Sequence, residues 1–351
     1  MRSYDVARFG APLQLFERPT PKPAGTEVLV RTLAAGVCHS DLHLWEGEYD
    51  LGGGKKLHVK DRGITPPFTM GHEIVGEVVA LGPEAEGARV GDRRLIHPWI
   101  GCGTCAVCRG GDEHLCASPR FLGVQKPGGY SDHVLVPHAR YLVEYGSLSP
   151  EQAAPFACSG VTAYSALNKF APGLLKSEPV VVIGAGGLGL MALSILKAMG
   201  GAGAVVADID PKKREAAKQA GALAAVDSAA PDALKQIQSA TAGGAHAVID
   251  FVGSSATARL GTDALAKGGK YVIVGLFGGD LTLSLPMIPW RALSVQGSYT
   301  GNLRELKELM ALVATGRVPP VPLTRHSLHE ASAALEQLKA GRVIGRAVLV
   351  P

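Results

Sequence analysis

Four cysteines, Cys102, Cys105, Cys108 and Cys116, fall within a single short segment of this 351-residue chain. Thiolates spaced that closely can surround one zinc ion as a tetrahedron, and the small residues between them, with Gly110 and Gly111, let the backbone turn tightly enough. A ferredoxin-type cluster fits less well. It would want the fourth cysteine sooner and followed by proline, whereas Cys116 precedes Ala117. A pair of disulfides is the other alternative. If protein fills every coordination position, the site is structural, and losing the metal would unfold this lobe before it affected any reaction.

The other two cysteines, Cys38 and Cys158, lie far apart in sequence, with Gly71-His72-Glu73 between them. Ligands drawn from separate loops are the usual arrangement of a catalytic metal, although each residue taken singly is more often an ordinary buried thiol or imidazole. A third pattern is Gly184-Ala185-Gly186-Gly187-Leu188-Gly189, placed after the apolar run 180–183 and before a helical stretch reaching Met199. Glycines in that context let a pyrophosphate approach the backbone at a helix N-terminus. Asp208 ends the next strand, where a carboxylate accepts hydrogen bonds from ribose hydroxyls and repels a 2′-phosphate, which favours NAD over NADP. Lys213 is within reach of the ribose edge or else simply solvated.

Positioning these groups takes two kinds of structure. Up to about residue 150 the chain reads as short strands, among them 28–33, 73–81, 93–97 and 132–137, separated by Gly, Pro and Asp turns. From about Ser159 strands alternate with helices: strands at 180–183, 204–207, 247–251, 271–274 and 294–297, helices at 212–220 and 255–265. Such alternation marks a parallel sheet. The tail, with helices at 303–315 and 330–339 and a strand at 345–350, returns to the earlier character. The expected division is 1–158, 159–297 and 298–351, an α/β chain with a doubly wound cofactor domain inserted into a mostly β one.

Composition narrows the function classes. A hydrophobic share of 46% and a charged share of 19% describe a globular protein without low-complexity tracts. The net charge of +4 is too weak to imply nucleic acid, and the basic runs 55–62 and 212–214 read as solvated charge. The uncharged run 180–196 is broken by glycines and reads as a strand turning into a helix, not a membrane span. The N-terminus lacks the apolar core of a signal peptide, so a cytoplasmic protein with reduced thiols is expected.

Taken in order, Gly36-Val37-Cys38-His39-Ser40-Asp41, Gly71-His72-Glu73, the four-cysteine lobe, the Cys158 stretch and the glycine motif resemble the zinc-containing medium-chain alcohol dehydrogenases over essentially the whole chain. Gly111 to Cys116 and the ending from Gly345 look most like the tetrameric prokaryotic and archaeal branch. The resemblance implies a GroES-like catalytic domain joined to a Rossmann cofactor domain, two zinc ions per chain, NAD as cofactor, and a tetramer, with a dimer as the alternative. It implies that Cys38, His72 and Cys158 hold the catalytic zinc, with Glu73 close by as an exchanging ligand or a supporting residue. Ser40 would take the alcohol's proton and pass it through the cofactor ribose to His43; a plain surface histidine is the competing reading of His43. His39 would meet the cofactor phosphates, Thr162 the nicotinamide, Val274 and Leu276 its other side, and Arg346 the pyrophosphate. Trp99 and Phe121, with Trp290 or Leu276, would wall an apolar substrate slot, with core packing as the competing explanation. The expected reaction is reversible oxidation of a primary or secondary alcohol to an aldehyde or ketone. A polyol or sugar dehydrogenase and a non-catalytic protein that binds NAD and zinc are the alternatives.

Overall fold

Val, Ile and Leu runs build two large sheets in the computed structural model, which describes residues 1–351. The first sheet has seven strands arranged around Val28–Val37, which pairs antiparallel with Glu73–Leu81, His133–Val136 and the C-terminal strand Arg346–Val350. The last segment of the chain therefore lies beside its first long strand. Gly36 stands between Glu73 and Val348 in this register. A Cβ at Gly36 would come within 1.9 Å of the Glu73 carboxylate, so only glycine leaves room for that side chain.

The second sheet has six parallel strands in the order Ala224–Asp227, Ala204–Asp208, Val180–Ile183, Ala245–Asp250, Leu265–Ile273 and Ser294–Gly297. The strand order reverses beside Val180–Ile183, where open parallel sheets of this type leave a crevice at the carboxyl ends of their strands. Successive residues point to opposite faces. Val180 and Val182 pack with Leu190 and Ile195 of the helix Gly187–Ala198, whereas Val181 and Ile183 pack with Ile237 and Ala258. Helices thus cover both faces, which is why these strands are apolar throughout instead of alternating.

One core cluster runs through both parts. It joins Cys38, Val75, Trp99 and Cys158 to Val161, Leu190 and Leu306. The helix Ser159–Leu167, which follows Cys158 directly, is the bridge between the two sheets. Arg214, expected as a solvated charge, instead donates to the Asp208 and Ile209 carbonyls at 2.9 Å each and pairs with Asp227 at 3.2 Å. It closes the turn after the second parallel strand. No helix is long and apolar enough to cross a membrane.

Candidate metal centre and cofactor site

The lobe cysteines Cys102, Cys105, Cys108 and Cys116 offer four sulfurs within 4.8 Å of one another, and all six cysteines of the chain are free. The closest approaches are 3.4 Å between Cys105 and Cys108 and 3.9 Å for Cys102 to Cys108 and Cys105 to Cys116. Tetrahedral zinc with sulfur ligands calls for sulfur separations of about 3.8 Å, so the donors fit that ion. Backbone N–H groups of Cys102, Cys105, Cys108 and Ser118 point at the sulfurs. Hydrogen bonds led by Thr104 hold the Cys102 thiol down at about 5, while burial pushes Cys108 up to about 12. Such a cluster ionises fully only around a cation. Glu113 staples the lobe from inside, accepting from Gly101 N at 2.9 Å, Tyr141 Oη at 2.8 Å and Arg140 Nη2 at 3.0 Å.

The structure brings Cys38, His72 and Cys158 together as a second, fully buried group, again with ligand atoms within 4.8 Å. Cys38 follows the central strand Val28–Val37 and caps the helix His39–Glu46, His72 precedes the strand Glu73–Leu81, and Cys158 precedes the helix Ser159–Leu167. The two sulfurs are 3.9 Å apart. His72 Nδ1 lies 3.2 Å from Asp41 Oδ1, close enough for charge attraction though not aligned as a hydrogen bond. That leaves Nε2, buried and without a protein partner, as the free ligand atom. Two sulfurs and one imidazole are a donor set that suits zinc, and three protein ligands leave its fourth position for a substrate.

Glu73 is buried beside this group, with Oε1 accepting from Arg346 Nη2 at 2.6 Å and from Ser159 N at 3.2 Å. Burial pushes its carboxyl up to about 7 against the opposing pull of Arg346. Ser40 and His43 share one face of the helix His39–Glu46, since they are three residues apart. Ser40 Oγ is 3.8 Å from Cys38 Sγ, and the His43 ring stacks on Tyr49 at 4.6 Å. Burial lowers the His43 pKa, so the ring is a neutral proton acceptor over more of the acid range than an ordinary histidine. His39 opens the same helix and is exposed.

The glycine motif links the strand Val180–Ile183 to the helix Gly187–Ala198. Gly184 has φ +94°, and a Cβ at Gly189 would come within 2.0 Å of the Gly184 carbonyl. The cap residue Gly186 offers no side-chain acceptor, so first-turn N–H groups next to Leu188 are left for a phosphate. Asp208 is buried and already accepts from Ala185 N at 2.7 Å and Asp210 N at 2.8 Å, which ties its carboxylate to the glycine loop. Lys213 is half-buried at the start of the next helix. The Thr162 hydroxyl is buried without a partner, Val274 is half-buried just past the fifth parallel strand, and Leu276 is exposed. The Arg346 side chain lies against Gly187, where a Cβ would meet its Cδ at 2.5 Å.

Residues 24–146 match the family described as alcohol dehydrogenase GroES-like domain, and residues 187–315 match that described as zinc-binding dehydrogenase. An NAD-dependent alcohol dehydrogenase of Sulfurisphaera tokodaii is 43% identical over 100% of both chains. This chain belongs to the zinc-binding alcohol dehydrogenase family. A second NAD-dependent alcohol dehydrogenase, from Saccharolobus solfataricus, is 41% identical over 100% of both chains. The crystal structure of the alcohol dehydrogenase of Aeropyrum pernix superposes with a TM-score of 0.90 at 34% identity, covering 100% of each chain. The fold is accordingly the GroES-like plus Rossmann arrangement of this family.

Around the Cys38, His72 and Cys158 group of this dehydrogenase, Trp99 packs on His72 at 5.2 Å and on Phe121 at 5.2 Å, and its indole N–H donates to the Ala157 carbonyl at 3.0 Å. Trp290 is not part of this group: it is 72% exposed on the short helix Met287–Arg291. The other aromatic here is Tyr299, 6.4 Å from Trp99 and 6.5 Å from Phe121. Sequence reasoning passed over it, although it follows directly on the edge strand where the chain leaves the parallel sheet.

Proposed function

We propose that the protein reversibly oxidises primary or secondary alcohols to aldehydes or ketones, with hydride passing to NAD, at a zinc centre held by Cys38, His72 and Cys158. The observation that carries this reading is the buried group of three ligand atoms from three separate segments, linked through Glu73 and Arg346 to the glycine loop and its uncapped helix. When bound, zinc supplies Lewis acidity that eases loss of the proton from an alcohol oxygen. Ser40 Oγ would take that proton while giving up its own, which passes through the cofactor ribose to His43, neutral and half-buried, and from there to solvent. Thr162 and Val274 orient the nicotinamide, Leu276 covers its far side, and the glycine loop, His39 and Arg346 hold the phosphates. Asp208, with Lys213 nearby, holds the ribose, and its charge favours NAD over NADP. Trp99 and Phe121, with Tyr299, exclude water and leave an apolar slot for an aliphatic, cyclic or aromatic alcohol.

A second zinc sits in the four-cysteine lobe as a structural ion. The division 1–158, 159–297 and 298–351 is part of the same reading, supported by the C-terminal strand lying in the first sheet. A homotetramer is proposed on the edge strand Ser294–Gly297, exposed throughout, and the exposed Phe277, Leu285 and Trp290 near it in sequence. Six free cysteines support a cytoplasmic location. The test is an assay of the purified protein against a panel of alcohols with NAD and NADP, alongside zinc analysis. NAD reduction by simple alcohols is expected, and NADH binding without turnover of any alcohol, aldehyde or ketone would overturn the reading.

A further inference from the structure

Asp41 is the polar centre behind the proposed catalytic metal group, and its two oxygens have different partners. Oδ2 accepts from the Cys38 backbone N–H at 2.9 Å and from the Tyr130 hydroxyl at 3.2 Å. Oδ1 faces His72 Nδ1 at 3.2 Å. Two donors on one oxygen fix the plane of the carboxylate and turn the other oxygen toward the imidazole. Asp41 and Tyr130 are both fully buried, so water cannot stand in for either donor.

Tyr130 is itself held rigidly. Its backbone N–H donates to the Met70 carbonyl at 3.0 Å, and its own carbonyl accepts from Tyr4 N at 2.8 Å. Its ring fills the space over Gly71, where a Cβ would come within 2.4 Å of Cδ1. Tyr130 thus grips the segment leading into His72 through its backbone and ring, and reaches the carboxylate behind His72 through its hydroxyl. Burial and the Asp41 charge keep the phenol protonated, so it stays a donor.

We propose that the Tyr130 hydroxyl is a positioning group for the metal centre, acting through Asp41 to set the orientation of the His72 ring. The proposal rests on the assignment of Cys38, His72 and Cys158 as metal ligands. Partners behind a ligating histidine fix its tautomer and ring orientation, and losing one costs roughly 10- to 100-fold in metal affinity or activity. Tyr130→Phe keeps the ring over Gly71 and removes only the hydroxyl, so a purely structural role predicts no change at the metal.

The test is the rate of zinc transfer from the holoenzyme to 4-(2-pyridylazo)resorcinol. Tyr130→Phe is expected to release zinc from the three-ligand centre about tenfold faster, with release from the four-cysteine lobe unchanged. In an Asp41→Asn background the same substitution is expected to have no further effect. A Tyr130→Phe rate within about twofold of the parent, or effects that multiply in the double variant, would overturn the proposal. If Asp41→Asn does not fold, the visible spectrum of the cobalt-substituted protein decides: a shift in Tyr130→Phe supports the role, and an identical spectrum removes it. Cys38→Ser separates this from the underlying assignment. Zinc content unchanged in that variant would remove the metal centre itself, and the role of Tyr130 with it.

Discussion

Arg346 and Glu73 form a buried ion pair, Nη2 to Oε1 at 2.6 Å, that ties the start of the last strand to the residue following His72. Because the same arginine lies against Gly187, one side chain touches both the carboxylate beside the metal group and the entrance of the dinucleotide helix. Arg346→Met would leave the buried Glu73 carboxylate without its charge partner, with only the Ser159 N–H to donate to it, and is expected to cost about 3 kcal/mol of unfolding free energy. Adding Glu73→Gln should recover part of that loss. Denaturant titration of the two single variants and the double variant checks this, and additive losses would show that the pair does not act as a unit.

The two cysteine groups should fail differently. Cys38→Ser or His72→Ala is expected to abolish alcohol oxidation while leaving the thermal midpoint nearly unchanged. Cys105→Ser should lower the midpoint first, since the half-exposed lobe closes around its four sulfurs and is otherwise tied by Glu113 and by the Asn302 to Asp112 hydrogen bond. Activity and thermal unfolding measured together separate the two, and comparable unfolding in all three variants would mean the roles are reversed.

Asp208, proposed above to hold the ribose, is tied to the glycine loop by its hydrogen bonds from Ala185 and Asp210. Asp208→Ser is expected to lower kcat/KM for NAD by at least about tenfold, the worth of a hydrogen bond to a charged group, and to narrow the preference over NADP. Steady-state kinetics with both cofactors checks this.

His97 is fully buried, and neither ring nitrogen has a protein partner. Burial first, and then the nearby His114, hold its pKa down at about 3. The folded state therefore keeps the ring neutral, while the unfolded chain takes up a proton near pH 6.5. Stability from this residue is complete above that pH and falls as the pH drops from 6.5 toward 3. Between pH 6.5 and 4.5 the loss amounts to about 2 kcal/mol. His97→Phe, which keeps a ring stacked near Tyr141, should flatten the acid side of the stability profile by that amount.

What could be read from the chain alone follows from the range of each interaction. The strand Glu73–Leu81, the fully buried Val180–Ile183 and the edge strand Ser294–Gly297 were legible because apolar runs and flanking glycines are local signals. The strand Ala224–Asp227 and the helix Ala233–Ala240 were not, since their small and polar residues bury only Val226, Ala233 and Ile237. The four-cysteine cluster stood out because closely spaced cysteines are rare and their chemistry is specific, whereas Cys38, His72 and Cys158 became a candidate ligand set only through the family resemblance. Asp41, Tyr130 and Tyr299 carry no such mark. Their partners are Cys38, His72, Trp99 and Phe121, and only the folded arrangement brings those residues together. The pairing of Arg346 with Glu73 was not legible either, because the two residues lie far apart in sequence and meet only when the last strand joins the first sheet.

The central claim is that one metal ion is shared by Cys38, His72 and Cys158. Anomalous diffraction at the zinc edge, from crystals of the holoprotein with NAD, tests it most directly. Two peaks per chain are expected, one inside the lobe of Cys102, Cys105, Cys108 and Cys116 and one among Cys38, His72 and Cys158. A peak in the lobe alone, or a second peak away from those three side chains, would contradict it.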